Sequence, residues 1–352
     1  MMGSEGAVRP FRRLGIVGGG AWGTALASVA CRALRPDAQM PDAHIYVGEV
    51  RLWARNPQVV TDIREGRENR LYLPGVALDP RIRATVDLAD LAWAELVLLV
   101  MPSQHLRALS AQLAGILAPD VPLVVAAKGV ECGTNALMAE VLAETLPGHP
   151  VAILSGPTFA AEVARDLPTA VTLACADQRL GRRIVASLGG PCFRPYLSDD
   201  AIGCEVGGAV KNVLAIACGI VEGRGLGDNA RSALITRGLA EVTRLALALG
   251  GRRETLTGLS GLGDLVLTCN ALQSRNFSLG VALGEGRRLA EVLAERRSVT
   301  EGVTSAASVA ALAAARGVDM PIVTTVNAIL HHDAAIDTAI QGLLTRPFRV
   351  ET

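Results

Sequence analysis

The run Leu14-Gly15-Ile16-Val17-Gly18-Gly19-Gly20-Ala21-Trp22-Gly23 constrains this chain more than any other feature. It starts apolar, passes through three successive glycines and continues into the Ala-rich, helix-spaced segment WGTALASVACRAL. That order reads as a buried strand, a very tight turn and the first turn of a helix. Gly18, Gly20 and Gly23 fall at the G-x-G-x-x-G spacing. The first such glycine makes the turn, the second lets backbone approach a ligand, and the third lets the helix pack on the strand. A helix N-terminus placed there attracts anions, so the run predicts the pyrophosphate-binding turn of a dinucleotide fold.

Residues 14–31, between Arg13 and Arg32, carry no charge and have the length of a signal anchor or membrane span. Four glycines among the first seven of them make a poor helix, and no convincing A-x-A cleavage site follows. The expectation is no membrane insertion.

The first half of the chain alternates short apolar runs (12–18, 51–54, 95–101, 123–127, 151–155, 169–175) with helix-spaced segments such as 103–117 and 134–146. From about Ser198 the runs give way to long Ala/Leu/Gly stretches at 200–222, 229–249, 256–269, 302–316 and 322–340. The sequence therefore predicts an α/β protein: an N-terminal Rossmann-type doubly wound sheet over 11–198, then an all-α C-terminal domain over 199–352. The polar run Ser198-Asp199-Asp200 supplies the N-cap at the boundary. The first ten residues are expected to be disordered.

Charge narrows the partners. The 352 residues have a formal net charge of zero, so no broad basic field points to nucleic acid or to an anionic membrane. A small-molecule partner is expected. The seven scattered cysteines contain no C-x-x-C pair and read as reduced packing residues of a cytosolic protein. The five histidines have no ligand spacing, so no metal is expected.

Of 34 basic residues only Lys128 and Lys211 are lysines, which leaves 32 arginines. Lysine is a compact charge whose pKa burial can lower, which suits it to proton transfer near neutral pH. Lys128 follows the strand-like LVVAA, at the end of a sheet where open α/β folds bind ligands. Lys211 lies on a helix apolar on most sides, beside Asn212, and a buried ammonium there needs a partner. Asp264, set among glycines and aliphatic residues in LSGLGDLVLTC, is the candidate. In Ser274-Arg275-Asn276, a planar donor fork and an amide suit a phosphate. Arg55 stands where an NAD-preferring site usually carries an acid, which favours the 2′-phosphate of NADP, with dual use of NAD allowed.

Together GIVGGGAWGTALA, LWARNP, MPSQ, AAKGVE, SGPTFAAEV, VGGAVKNVLAIACGI, LSGLGDLVLTC, SRNFSLG and VTEGVTSA, in this order, resemble the NAD(P)-dependent glycerol-3-phosphate dehydrogenases from Leu14 to about Ala306. The resemblance implies reversible reduction of dihydroxyacetone phosphate to glycerol 3-phosphate by NADPH or NADH, in a cleft between the two domains. It further implies a cytoplasmic homodimer supplying phospholipid synthesis. By the same resemblance Lys211 exchanges the proton with the substrate oxygen, Lys128 touches substrate and cofactor, and Gly156 and Thr158 line the substrate. Asn212, Asp264 and Thr268 support it, Ser274 belongs to the substrate site, and Arg275 with Asn276 takes its phosphate. Ala21, Trp22, Arg55, Tyr72, Ala160, Arg275, Val299 and Glu301 match cofactor-side positions. Ala21 stands where the family often has serine, and residues 35–50 make a longer connection than usual. The competing readings are a related hydroxy-acid dehydrogenase and a non-catalytic NAD(P)-binding sensor.

Overall fold

The glycine-rich run opens as a strand, β1 (Arg13–Val17), in the computed structural model, which describes residues 8–34, 48–296 and 299–347. Leu14, Ile16 and Val17 are wholly buried, as expected of a parallel strand covered on both faces. The helix Ala21–Ala33 follows after three residues, so the stretch suspected of resembling a membrane anchor is a strand, a turn and a buried helix. Residues 1–7, and most of the long connection at 35–50, lie outside the described residues.

The remaining strands are β2 (Glu49–Trp53), β3 (Ile82–Thr85), β4 (Leu96–Leu99), β5 (Leu123–Val125), β6 (Val151–Ser155), β7 (Thr169–Cys175) and β8 (Phe193–Ser198). They form one sheet in the order β3-β2-β1-β4-β5-β6-β7-β8. All neighbours are parallel except β6 and β7. The strand order reverses at β1, between β2 and β4, which puts the glycine turn at the switch point where open α/β sheets bind ligands.

Three features depart from the sequence reading. β3 and β8 were not anticipated. Both are edge strands: β3 is short and carries the exposed Arg83, β8 is largely exposed, and the edge position is what allows Pro195 within β8. The antiparallel β6–β7 pair follows from its connection, which holds only the short helix Ala160–Ala164 and does not carry the chain back to the other end of the sheet.

By internal contacts the chain divides into two compact units. The first runs to Lys128 and resumes over Met138–Cys204; the second comprises Gly129–Leu137 and everything from Glu205. The boundary helix, Ala201–Gly223, is capped by Asp200, whose carboxylate accepts from the Gly203 N–H at 2.8 Å. By length and composition this helix could cross a membrane, yet its apolar window is entirely buried in the protein.

The second unit is built around this helix. A Cβ on Gly219 would meet the Phe277 carbonyl oxygen at 2.1 Å, and one on Gly280 would meet that of Ile216 at 2.1 Å. Glycine therefore lets the helix Arg275–Gly284 lie backbone to backbone against it. That helix and the short Leu289–Ala294 were not anticipated. The stretch 256–269 splits into a helical turn, a π-helical turn at Leu259–Gly263 and the helix Asp264–Cys269. The stretch 322–340 is two helices, Pro321–His331 and Ile336–Leu344, broken where Asp333 adopts φ 50°.

Candidate active site

The glycine turn is assembled from backbone. Gly18 has φ 129°, and a Cβ there would come within 2.7 Å of the Val100 carbonyl oxygen. A Cβ on Gly23 would lie 1.9 Å from the Gly18 carbonyl oxygen, so helix and turn touch with no room for a side chain. Gly20 is the opposite case: a Cβ there meets nothing within 4 Å, so the backbone faces open space. Gly20 is also the N-cap of Ala21–Ala33 and provides no side-chain cap. The result is an open helix N-terminus suited to an anion.

Side chains brace that turn from behind. Asn69, wholly buried, donates from Nδ2 to the Gly19 carbonyl at 2.9 Å and to the Thr24 hydroxyl at 2.8 Å. Its Oδ1 accepts from the Tyr72 backbone N–H at 3.2 Å, and Thr24 in turn donates to the Gly20 carbonyl at 2.9 Å. Asn69 and Thr24 escaped the sequence reading, since nothing local in Arg-Glu-Asn-Arg distinguishes a buried brace from a loop amide. Trp22, Tyr72, Ala21 and Ala160 are half-buried against the same core. Arg55 is exposed just beyond β2.

Lys128 ends the first stretch of the first unit, three residues past β5, and is half-buried. Its Nζ donates to the Gly156 carbonyl at 3.2 Å, which also accepts from the Thr158 hydroxyl at 3.4 Å. Gly156 has φ 153° and packs on Val171, where a Cβ would meet the Cα at 2.9 Å. Lys128, Gly156 and Thr158 thus form one cluster after β5 and β6.

The second lysine sits deep in the other unit. Lys211 Nζ donates to Asp264 Oδ1 at 2.6 Å and to the Thr268 hydroxyl at 2.9 Å. Thr268 also donates to Asp264 Oδ1 at 3.3 Å. Lys211 is 8 % exposed and Asp264 is 0 % exposed, so the ammonium retains only a narrow access to solvent. The π-helical turn leads directly into Asp264 and aims the carboxylate at Lys211. Cys218 and Cys269 are wholly buried, and burial pushes the Cys269 thiol well above the ordinary range, with Cys218 adding to this and the Lys211 ammonium opposing it. These two are packing cysteines, as read from the sequence; Cys132, however, is exposed and Cys192 half-buried, because both lie in connections.

Beside Lys211, Asn212 Oδ1 accepts from Asn276 Nδ2 at 2.9 Å, and Asn276 Oδ1 accepts from the Gly302 N–H at 2.9 Å. Ser274 caps its helix by accepting from the Phe277 N–H at 3.2 Å. Ser274 and Asn276 are buried and engaged in protein contacts, whereas Arg275 reaches solvent. Desolvation nonetheless lowers the Arg275 guanidinium from the usual arginine value, with the Glu301 carboxylate opposing it. Val299 is exposed.

The sequence matches family models along both units. The model for the N-terminus of NAD-dependent glycerol-3-phosphate dehydrogenase covers residues 13–181, and that for its C-terminus covers 200–341. A glycerol-3-phosphate dehydrogenase [NAD(P)+] of Parvibaculum lavamentivorans is 55% identical over 97% of this chain and 99% of its own length. One of Rhodospirillum rubrum is 56% identical over 96% of this chain and 93% of its own. Among solved structures, the glycerol-3-phosphate dehydrogenase of Coxiella burnetii superposes with a TM-score of 0.89 at 40% identity, covering 95% of this chain and 99% of that one.

Proposed function

This chain belongs to the NAD-dependent glycerol-3-phosphate dehydrogenase family, and we propose that it reduces dihydroxyacetone phosphate to sn-glycerol 3-phosphate and catalyses the reverse oxidation. The observation that carries this reading is the buried Lys211–Asp264–Thr268 cluster, a shielded ammonium held by a carboxylate and a hydroxyl. The turn at Gly18–Gly23 fits a dinucleotide, since its backbone is open at Gly20 and its helix start has no side-chain cap. Bound NADPH or NADH supplies the hydride.

The chain's own residues supply the rest. Lys211 donates its Nζ proton to the carbonyl oxygen as negative charge develops there, and recovers a proton from solvent; in the oxidation it accepts the hydroxyl proton. Asp264 and Thr268 hold Nζ in one place, so little reorganisation accompanies transfer. Lys128, anchored on the Gly156 carbonyl, brings a second ammonium to the substrate, and Thr158 lines it. Arg275 takes the substrate phosphate, with Ser274, Asn212 and Asn276 fixing the start of its helix. On the cofactor side, Arg55 meets the 2′-phosphate of NADP, while Ala21, Trp22, Tyr72, Ala160, Val299 and Glu301 complete the site. The protein acts as a cytoplasmic homodimer that supplies glycerol 3-phosphate for phospholipid synthesis.

The test is a spectrophotometric assay of NADPH and NADH oxidation with dihydroxyacetone phosphate, set against 2-keto and 3-keto acids. Turnover with the phosphorylated ketone alone is the expected result. Equal or better turnover of an unphosphorylated acid would replace this reading with a hydroxy-acid dehydrogenase.

A further inference from the structure

One guanidinium near Arg275, that of Arg296, makes no ion pair among the described residues. Arg296, just past the helix Leu289–Ala294, donates from Nη1 to the Arg275 carbonyl oxygen at 2.6 Å and from Nη2 to the Ser278 hydroxyl at 3.1 Å. Its side chain therefore lies along the first turn of Arg275–Gly284. Burial lowers the Arg296 guanidinium from the usual arginine value, and the nearby positive charges of Arg275 and then Arg287 lower it further. Arg275 and Arg287 each face carboxylates, whereas Arg296 makes no ion pair among the described residues. Glu301 acts on Arg275; Glu295 is bound to Arg287 at 2.5 Å, with Glu291 and Glu285 also acting on Arg287, and Glu295 weighs least on Arg296.

A partly desolvated guanidinium with no carboxylate of its own and a like charge nearby is unfavourable unless an anion completes it. A second observation marks the same place. Thr300 is 5 % exposed, and its hydroxyl has no hydrogen-bond partner among the described residues. It stands at the N-cap of Glu301–Ala315 without capping it, two residues before Gly302, whose N–H is bound by Asn276 of that same first turn. A buried hydroxyl left over two residues from the contact with this turn indicates a polar ligand.

We propose that Arg296 is a second phosphate-binding side chain of the active site, working beside Arg275 on a phosphate group of substrate or cofactor. The inference rests on the dehydrogenase reading above. An arginine serving only as a structural clamp would have its role exhausted by the Arg275 carbonyl and Ser278. The planar guanidinium still has N–H groups beyond those two bonds, and phosphate is the acceptor that such a fork fits bidentately.

The test compares full-length wild type, Arg296→Met and Arg296→Lys. Measurements are KM and kcat for dihydroxyacetone phosphate, NADPH and NADH, the Ki of inorganic phosphate, and thermal unfolding. Arg296→Met should raise one phosphate-dependent KM and the phosphate Ki together by about tenfold, with kcat changing less, and Arg296→Lys should recover part of both. A rise confined to dihydroxyacetone phosphate assigns the substrate phosphate, and a rise shared by NADPH and NADH assigns the cofactor diphosphate. The proposal is overturned if all KM values and the phosphate Ki stay within about twofold, or if lysine recovers nothing while Tm falls. Should wild type fail to reduce dihydroxyacetone phosphate at all, the functional reading falls on its own. Calorimetric titration of inorganic phosphate into wild type and Arg296→Met still decides the binding claim.

Discussion

The glycine turn and the Lys211 cluster solve binding in opposite ways. The turn is backbone: Gly18 and Gly23 are defined by the atoms a Cβ would strike, and Gly20 by the space in front of it. The Lys211 cluster is side chain: an ammonium, a carboxylate and a hydroxyl in mutual hydrogen bonds, almost withdrawn from water. A backbone site is sensitive to added volume and indifferent to lost function. A side-chain site is the reverse, because each buried charge depends on its partner.

Lys211→Ala should break the comparison hardest. It is expected to lower kcat by about 10³-fold while NADPH binding, followed by nucleotide fluorescence, is retained. Lys211→Ala also strands Asp264 with no ammonium, at a cost of about 3–5 kcal/mol in denaturant unfolding. Adding Asp264→Asn should restore much of the stability and none of the turnover. Recovery of activity in the double variant would refute the role given to the ammonium, and loss of nucleotide binding would refute the separation of the two sites.

Glu241 sharpens the comparison within the helical unit, for it is a buried carboxyl held by backbone instead of an ammonium. Its oxygens accept from the Ile322 N–H at 2.8 Å and the Val323 N–H at 3.2 Å. Burial nonetheless pushes its pKa up from 4.5 to about 7, with those N–H bonds and Arg244 opposing and Asp319 reinforcing. A carboxyl whose folded pKa is raised favours the folded state below the unfolded pKa and loses that contribution as pH rises through the folded value. Stability should therefore decline by about 3 kcal/mol between about pH 4.5 and pH 7, and Glu241→Gln should flatten that part of the profile. An unchanged pH–stability curve in Glu241→Gln removes the assignment.

Gly23→Ala and Gly20→Ala probe the turn itself. The first should cost about 1–3 kcal/mol of stability as well as cofactor affinity, because its Cβ must displace the turn. The second should leave apo stability nearly unchanged and weaken only cofactor binding, measured by titration. Similar Tm losses in both would show that volume is not what distinguishes them. The smallest effect is expected from Arg55→Ala, about a tenfold rise in KM for NADPH with that for NADH unmoved; an unaltered preference between the two nucleotides would exclude the 2′-phosphate contact.

How much was legible follows the same division. The glycine spacing announced the turn, because its function is local in sequence. The rarity of lysine singled out Lys128 and Lys211, and the helix spacing outlined the second unit. Asn69 was invisible because its partners, Gly19 and Thr24, are about 50 residues away. Arg296 was lost among 32 arginines, and only its contact with the Arg275 carbonyl distinguishes it. β3 and β8 were missed because edge strands need not be apolar.

The sequence by itself determined a strand–glycine turn–helix at the start of the chain, a run of alternating elements after it and a change to helices near residue 200. Local periodicity and backbone sterics suffice for those. Tertiary structure alone decided that β7 runs against β6, that residues 129–137 join the second unit, and that Lys211 meets Asp264 across 53 positions. Each of these depends on which distant segments can approach closely enough to exclude water, and that depends on packing, which no short window of residues contains.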